Sequence, residues 1–334
     1  MKSFRAPRAS VQLGVARWGA TLLALAVCAP AASAQSYPTR PIKLVVAFTP
    51  GGTTDIIARV LAEAAGARLG QQIIVENRPG AGGNLGTEAV ARAAPDGYTL
   101  TLCTIGTCAM NAAIYPSMPY DVERDFTPVV LAGSVSNVLT VNPSVPAKTV
   151  KELVALAKNK PGALTYGSTG YGSSPHFAGE LLKAQAGVEI THVTYKGSAP
   201  AIIDLRGGQI DVFFDNAPSI LPHVKAGAVR ALATTGAKRS KQLPDVPTMQ
   251  EAGFPGFVIQ PWWGVLAPAK TPPAIVARLN EAFNGALHDS AVMKRFEEVD
   301  LDPAGGTPEQ LRALIQSESA KWGKLARSRN IKAE

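Results

Sequence analysis

Two stretches of the sequence place glycine, serine and threonine directly before a helical pattern. The first is Thr49-Pro-Gly-Gly-Thr-Thr54, followed by Asp55, and the second is Ser168-Thr-Gly-Tyr-Gly-Ser-Ser174, followed by Pro175 and His176. Hydroxyl groups and the unpaired N–H groups of a helix N-terminus bind anions, and the helix dipole favours negative charge there. Two such loops on opposite sides of a cleft predict a site for a small carboxylate.

The sequence lacks the motifs that would indicate catalysis or a cofactor. It has no nucleoside-triphosphate loop and no nucleophile elbow, and Gly80-Ala-Gly-Gly83 lacks the dinucleotide-binding spacing. The histidines, His176, His192, His223 and His288, show no metal-ligand spacing. We therefore expect no enzyme, no cofactor and no metal. His176 is interpreted either as a ligand contact or as a structural hydrogen bond, whereas His192 and His223 are interpreted as structural.

The elements that position these loops alternate between strand and helix patterns, which predicts an α/β fold with mainly parallel sheets. The expected strands are 42–48, 73–77, 98–103, 164–167, 191–195, 210–215 and 230–234, and the expected helices begin near residues 55, 84, 150, 175, 272 and 308. Pro175 predicts a helix start with Ser174 as its cap, and Thr307 with Gln310 has capping-box spacing. The pair Trp262-Trp263 is interpreted as core or hinge packing, or as one wall of the cleft.

Residues 1–34 have the composition of a secretory signal peptide. Four basic residues and no acid accompany an apolar run from Ala20 to Ala29, and Ala32-Ser-Ala34 is a small-residue cleavage site. We expect cleavage after Ala34. Lipidation of Cys28 is the alternative, which Val27 disfavours. No later stretch is apolar enough to span a membrane.

Composition and charge exclude other classes of protein. The 334 residues are 46% apolar and 17% charged, which is typical of a globular protein of one or two domains. Part of the net charge of +8 comes from residues 1–34, and no basic run or aromatic platform follows. We therefore do not expect binding to nucleic acid.

Cys103 and Cys108 lie at the end of a strand pattern and in the loop behind it. In an exported protein they can form a disulfide, and two buried thiols are the alternative. The sequence does not give the geometry that a bridge needs. Because no histidine or acid stands beside them at ligand spacing, we do not expect a metal site there.

A series of longer motifs runs in order over the chain that follows the signal. They are Phe48-Thr-Pro-Gly-Gly-Thr-Thr-Asp55, Glu76-Asn-Arg-Pro-Gly-Ala-Gly-Gly83, Pro95-Asp-Gly-Tyr98, Tyr120-Asp121 with Asp125-Phe126, Tyr166-Gly-Ser168 with His176, Tyr195-Lys-Gly197, Asp204-Leu-Arg-Gly-Gly-Gln209, Leu243-Pro-Asp-Val-Pro-Thr248 and Glu251-Ala-Gly253. In these motifs the sequence resembles the Bug-type extracytoplasmic solute receptors, the binding proteins of tripartite tricarboxylate transporters.

The resemblance implies a type II periplasmic-binding-protein fold: two α/β domains, two crossovers and a ligand in the cleft between them. A restart of strand–helix units near Val150 and a proline-rich return over 243–255 set the expected boundaries. We expect a discontinuous first domain over 36–137 and 257–334, and a second over 138–256.

The resemblance also implies a small carboxylate ligand, held largely by backbone amides and water from the two loops. Asp55 is expected to orient its loop with its charge turned away from the ligand. In the loop Thr104-Ile-Gly-Thr-Cys-Ala-Met110, cysteines flank the segment that contains Thr107. The expected ligand-binding residues are Phe48, Pro50, Gly51, Gly52, Thr53, Thr54, Asp55, Thr107, Ser168, Thr169, Gly172, Ser173, Ser174, His176, Tyr195 and Asp215.

For the whole protein, the resemblance implies a periplasmic monomer that delivers its ligand to the membrane permease subunits of a tripartite tricarboxylate transporter. The alternative is a signal protein that presents its complex to a membrane sensor kinase. The missing catalytic motifs disfavour a secreted enzyme.

Overall fold

The structure is a computed structural model that describes residues 1–6 and 37–333. The chain divides into two compact units, Met1–Thr39 and Arg40–Glu334, and every described helix and strand belongs to the second. Apart from residues 1–6, the predicted signal peptide lies outside the described ranges. The same holds for the predicted cleavage after Ala34 and for the alternative, lipidation of Cys28. Within those ranges, no helix has the length and apolar composition needed to cross a bilayer.

The strands are β1 (Ile42–Val46), β2 (Ile73–Asn77), β3 (Thr99–Thr104), β4 (Phe126–Ser134), β5 (Asn137–Val141), β6 (Thr165–Ser168), β7 (Thr191–Thr194), β8 (Val212–Asn216), β9 (Arg230–Thr234), β10 (Trp262–Pro268) and β11 (Asp302–Pro303). The α-helices are α1 (Thr53–Leu69), α2 (Asn84–Ala91), α3 (Asn111–Ile114), α4 (Val122–Asp125), α5 (Val150–Asn159), α6 (Ser174–Ala186), α7 (Ser198–Gly207), α8 (Ala217–Lys225), α9 (Pro273–Leu287), α10 (Ser290–Glu298) and α11 (Pro308–Ser328). Ala81–Gly83 forms a 3₁₀ turn and Gly106–Met110 a π-helix.

These strands form two mixed sheets, of order β11-β4-β10-β3-β1-β2 and β7-β6-β8-β5-β9. In the first sheet β1 is parallel to β2 and β3, and in the second β6 is parallel to β7 and β8. The expectation of mainly parallel sheets is wrong. The strands that enter each sheet from the other one, β5 and β10, run antiparallel to both of their neighbours.

The chain passes from the first sheet to the second between β4 and β5 and returns between β9 and β10. The two connections are hydrogen-bonded to each other, since Val135 N donates to the Pro261 carbonyl at 2.9 Å. Asn137 N, at the start of β5, also donates to Thr235 Oγ1 in the return connection at 2.9 Å. The two α/β layers with two crossovers agree with the predicted fold class. The domain boundaries stay a prediction.

Local sequence explains why the elements around the cleft form. The central strand β1, Ile-Lys-Leu-Val-Val, buries every side chain except Lys43, as expected for a strand covered on both faces. The helix α1 is followed by its C-cap residue Gly70, which adopts the left-handed conformation that glycine tolerates best. The predicted capping box of Thr307 and Gln310 is confirmed at the start of α11.

Candidate functional site

A narrow cavity of about 30 Å³ lies between the two sheets. A water needs roughly 10–15 Å³ measured in this way, so the cavity has room for only a few non-hydrogen atoms. Its lining residues are Phe48, Gly52, Thr53, Thr54, Thr104, Ile105, Gly106, Thr169, Ser173, Ser174, Pro175, Ser198, Asn216, Pro261 and Trp263. None of these lining residues carries a charged side chain.

Four helices begin at this cavity. α1 begins at Thr53, α6 at Ser174 and α7 at Ser198, and α8 follows its N-cap residue Asn216. The first N–H groups of each helix have no partner within the helix and carry partial positive charge. The cavity therefore attracts an anion through backbone groups and hydroxyls, without a cationic side chain.

The sequence predicted two of these helix starts and missed those of α7 and α8. Because β6, β7 and β8 are parallel, their carboxyl ends lie at one edge of the sheet, and the three helices that follow begin there together. Local signals for the missed starts are Gly197 before Ser198, and Asn216 as N-cap with Pro218 in the first turn.

Asp55 organises the first loop, and its charge is neutralised away from the cavity. Its carboxylate accepts hydrogen bonds from Gly51 N at 3.0 Å, from Asn77 Nδ2 at 3.0 Å, and from Arg59 Nε at 2.9 Å. Burial alone raises the pKa of Asp55, but the hydrogen bonds from Arg59, Gly51 and Asn77 outweigh it and hold the pKa below its usual value. Asp55 does not line the cavity, which agrees with the expected orienting role.

Trp263 forms part of the cavity wall and fixes the hydroxyl of Thr54. The ring is 1% exposed, and its Nε1 donates to Thr54 Oγ1 at 2.9 Å. Since Thr54 accepts this bond, its own hydroxyl proton is left to donate. Trp263 lies in strand β10 and lines the cavity, which matches the interpretation of one tryptophan as a wall of the cleft.

Ser173, and not Ser174, caps α6, so the predicted cap is wrong by one residue. Ser173 has extended backbone angles, and its Oγ accepts from His176 N at 3.4 Å and donates to the Gly170 carbonyl at 2.6 Å. Ser174 is the first helical residue, with its Oγ 3.4 Å from Asn137 Oδ1 and from Asn216 Oδ1. Both serines line the cavity.

Two stacked histidines lie behind the second loop. The rings of His176 and His192 are 4.7 Å apart; His176 Nδ1 accepts from Gly172 N at 3.3 Å, and His192 Nε2 lies 2.7 Å from Ser168 Oγ. Burial lowers the pKa of His176 to about 3 and that of His192 to about 4, so both rings are neutral at pH 7. His176 makes the structural hydrogen bond and does not line the cavity.

Other predicted residues do not line the cavity. The side chain of Thr107 is hydrogen-bonded to Thr104, whose N–H donates to Thr107 Oγ1 at 3.1 Å. Tyr195 donates to Asp204 Oδ2 at 2.7 Å, and burial raises the pKa of Tyr195. The remaining predicted residues outside the lining are Pro50, Gly51, Ser168, Gly172 and Asp215. The structure thus brings Phe48, Gly52, Thr53, Thr54, Thr169, Ser173 and Ser174 together, and the ligand-binding role of each stays a prediction.

Asp215 is buried behind the cavity wall. It is 0% exposed and accepts hydrogen bonds from Ser198 Oγ at 2.7 Å and from Ser219 Oγ at 2.6 Å. Burial raises the pKa of Asp215 to about 7, although the bonds from Ser219, Ser198 and the Asn216 backbone lower it. Sequence reasoning named Asp215 but missed Ser198 and Ser219, since neither belongs to the two glycine-rich loops.

The structure joins Cys103 and Cys108 in a disulfide, with their Cα atoms 6.1 Å apart. This separation lies within the usual range for the bond. The bridge spans the turn from β3 into the π-helix Gly106–Met110, next to the cavity residues Thr104, Ile105 and Gly106. Within residues 1–6 and 37–333, no three metal-ligating side chains of histidine, cysteine, aspartate or glutamate come together.

A model of the tripartite tricarboxylate transporter family receptor matches residues 57–331. The chain belongs to this receptor family. It is 41% identical over 311 residues to the protein BugT of Bordetella pertussis, covering 93% of this chain and 95% of that relative. Members of the family are periplasmic solute-binding receptors and not enzymes, which confirms the predicted class.

Solved structures of similar proteins agree with the receptor fold. The Rhodopseudomonas palustris protein Rpa4515, solved with adipate, is 40% identical with a TM-score of 0.87, over 89% of this chain and 100% of that one. The protein MatC of the same species, solved with bound malate, is 35% identical with a TM-score of 0.84, over 86% and 99%. The periplasmic binding protein BugD is 34% identical with a TM-score of 0.87, over 89% and 100%.

Proposed function

We propose that this receptor binds a small dicarboxylate in the cavity between its sheets and delivers it to the permease of a tripartite tricarboxylate transporter. The observation that carries the proposal is the convergence of four helix N-termini on one cavity whose lining has no charged side chain. A carboxylate only accepts hydrogen bonds, and backbone N–H groups and hydroxyls donate them.

The similar structures support the choice of a dicarboxylate. One of them holds adipate and another malate, and both ligands carry two carboxylates on a short chain. The small cavity of this receptor implies that the loops separate to admit a ligand of this size and then close on it. Phe48 and Trp263 supply the apolar surface against which the carbon chain packs.

We further propose that the receptor works as a periplasmic monomer after removal of residues 1–34. The basic start, the apolar run and the small residues before Gln35 support export. Mass spectrometry of protein recovered from the periplasm is expected to give Gln35 as its first residue. A lipid-modified chain that begins at Cys28 would contradict this cleavage.

Thermal unfolding with a ligand series tests the carboxylate site. At 100 times its Kd, a ligand that binds only the native state stabilises it by about 2.7 kcal/mol, which raises Tm by several degrees. We expect such a shift with adipate or malate. The diamide of the same acid is the matched control and should lose most of the shift, since the helix N-termini then face no charge. An equal shift with the diamide would contradict the proposal.

A further inference from the structure

A chain of buried hydroxyls connects both walls of the cavity to Asp215. Ser198, which lines the cavity at the start of α7, donates to one carboxylate oxygen of Asp215 at 2.7 Å, and Ser219 donates to the other at 2.6 Å. Ser219 Oγ also lies 3.0 Å from Oγ1 of Thr53, which lines the cavity at the start of α1. The two distances to Asp215, 2.7 and 2.6 Å, are typical of hydroxyls that donate to an ionised acceptor.

The charge on Asp215 sets the direction of these hydroxyl protons. An ionised carboxylate only accepts, so Ser198 and Ser219 both turn their protons towards it. A hydroxyl has one proton, so Ser198 then offers the cavity only its lone pairs, and Thr53 can donate to Ser219 instead of to the cavity. In this arrangement Ser198 repels a ligand carboxylate.

Protonation of Asp215 reverses the arrangement at Ser198. The new carboxyl O–H donates to Ser198 Oγ, and the freed serine proton turns to the cavity, where it can donate to a ligand oxygen. We propose that binding of a carboxylate ligand is coupled to the uptake of one proton by Asp215, which converts Ser198 from an acceptor into a donor at the cavity wall. The proton comes from the solvent, and no covalent bond of the ligand changes. This inference rests on the proposed function as a carboxylate receptor.

The electrostatic surroundings of Asp215 support the coupling. Burial brings the pKa of Asp215 to about 7, and no charged group is among the causes of that shift. The titratable or charged side chains of the elements around it are Tyr166 on β6, His176, Glu180 and Lys183 on α6, Asp204 and Arg206 on α7, Asp211 before β8, His223 and Lys225 on α8, and Asp55, Arg59, Glu63 and Arg68 on α1. A ligand carboxylate in the cavity adds a like charge and raises the pKa of Asp215 further.

Isothermal titration calorimetry of the exported protein tests the coupling. The probe is whichever of adipate and malate binds more tightly, and both are fully ionised between pH 7 and 9. Titrations at pH 8 in buffers of different ionisation enthalpy give the number of protons taken up. We expect about one proton per ligand, because free Asp215 is mostly ionised at that pH, and a Kd that rises by up to about tenfold per pH unit above pH 7.

Two variants assign the proton to its site. Asp215→Asn is neutral at every pH and should bind with no proton uptake and a flat pH profile. Asp211→Asn makes the same substitution in a residue whose Oδ2 accepts from Thr165 N at 2.8 Å, and it should keep the uptake. If Asp215→Asn does not fold, infrared difference spectra of the unmodified protein should show a protonated carboxyl band that appears on ligand addition at pH 8.

The outcomes separate the two proposals. Binding without proton uptake, or uptake that persists in Asp215→Asn, overturns the coupling and leaves the receptor function intact. Failure of both dicarboxylates to bind overturns the proposed function, and the coupling with it.

Discussion

Ser173 and Ser174 are adjacent serines that line the same cavity, but only Ser173 caps α6. Loss of a helix cap costs about 0.5–2 kcal/mol of folding free energy. We expect Ser173→Ala to lower the free energy of unfolding by about 1 kcal/mol, and Ser174→Ala to lower it by less. Urea unfolding of both variants measures this difference. Equal losses would show that the cap contributes little, and a larger loss in Ser174→Ala would favour the cap predicted from the sequence.

The histidine pair predicts how stability changes with pH. The pKa values of His176 and His192, about 3 and about 4, lie below the value of about 6.5 in an unfolded chain. Between these limits the unfolded state binds more protons, so stability falls as the pH drops below 6.5 and is unaffected by these groups above pH 7. The loss between pH 6.5 and 5 is at most about 2 kcal/mol for each histidine.

Asp215 acts in the opposite direction over the same pH range. Its raised pKa means that the folded state binds more protons between about pH 4 and 7, so it contributes stability as the pH falls. The effect of the histidines on stability must therefore be measured as the difference between the unmodified protein and a variant that lacks one histidine. Urea unfolding of the unmodified protein and of His176→Gln at pH 7 and pH 5 should show a smaller acid loss in the variant. The same loss in both proteins would exclude His176 as a source of the pH dependence.

At the level of the elements, the start of α1 allows a test of whether backbone N–H groups bind the ligand. Proline is well tolerated at the first helical position, and Gly52 before it has extended backbone angles that suit it. Thr53→Pro removes the N–H donor, and a hydrogen bond to a charged group contributes about 1.5–3 kcal/mol. We expect dicarboxylate binding at least about tenfold weaker, measured by calorimetry.

Two further variants isolate the N–H group of Thr53. Thr53→Ala removes the hydroxyl and keeps the N–H, so it should bind more tightly than Thr53→Pro. Ser290→Pro places proline at the same position of α10, outside the cavity, and should leave binding unchanged. If Thr53→Ala and Thr53→Pro bind equally, the backbone donor of α1 makes no contribution.

The elements also show what the sequence could predict. Strands with local signals were predicted within one or two residues, and β2 and β9 match the expected 73–77 and 230–234. The capping box at Thr307 was predicted because it depends only on residues three apart. The approach of α7 and α8 to the cavity depends on the parallel pairing of β6, β7 and β8, which is not local.

The site was also predicted only in part, because some of its residues carry a local sequence signal and others are brought there by contacts that are not local. The two glycine-rich loops carry their signal in adjacent residues, and both reach the cavity. Asp215 lies in β8 and Tyr195 directly follows β7, but the side chain of Asp215 is hydrogen-bonded to Ser198 and Ser219, and that of Tyr195 to Asp204. The direction in which a side chain points, towards the cavity or away from it, is set by tertiary packing and cannot be predicted from the spacing of residues in the sequence.

At the scale of the whole molecule, the cavity is closed by direct contacts between the loops and helix starts that follow strands of the two sheets. Thr49 N donates to the Lys196 carbonyl at 3.3 Å, and Thr53 Oγ1 lies 3.0 Å from Ser219 Oγ. The close approach depends on Gly197, since a Cβ there would lie 3.0 Å from Thr49 N and closer still to Thr49 Oγ1. A side chain at this position therefore opposes closure without straining its own backbone, which is extended.

Gly197→Ala should consequently weaken ligand binding more than it weakens folding. Overpacking of a tight contact costs typically about 1–3 kcal/mol. We expect this cost in the closed arrangement, where the added Cβ meets Thr49, and not where the loops have separated. We expect Kd to rise about 5- to 150-fold with little change in Tm, and solution scattering to show a smaller contraction on adding ligand. Gly207→Ala, at the other end of α7, meets no atom within 4 Å and is the matched control. Unchanged affinity in Gly197→Ala would mean that the ligand is held without closure of these loops. The ligand would then be bound from one side of the cavity only.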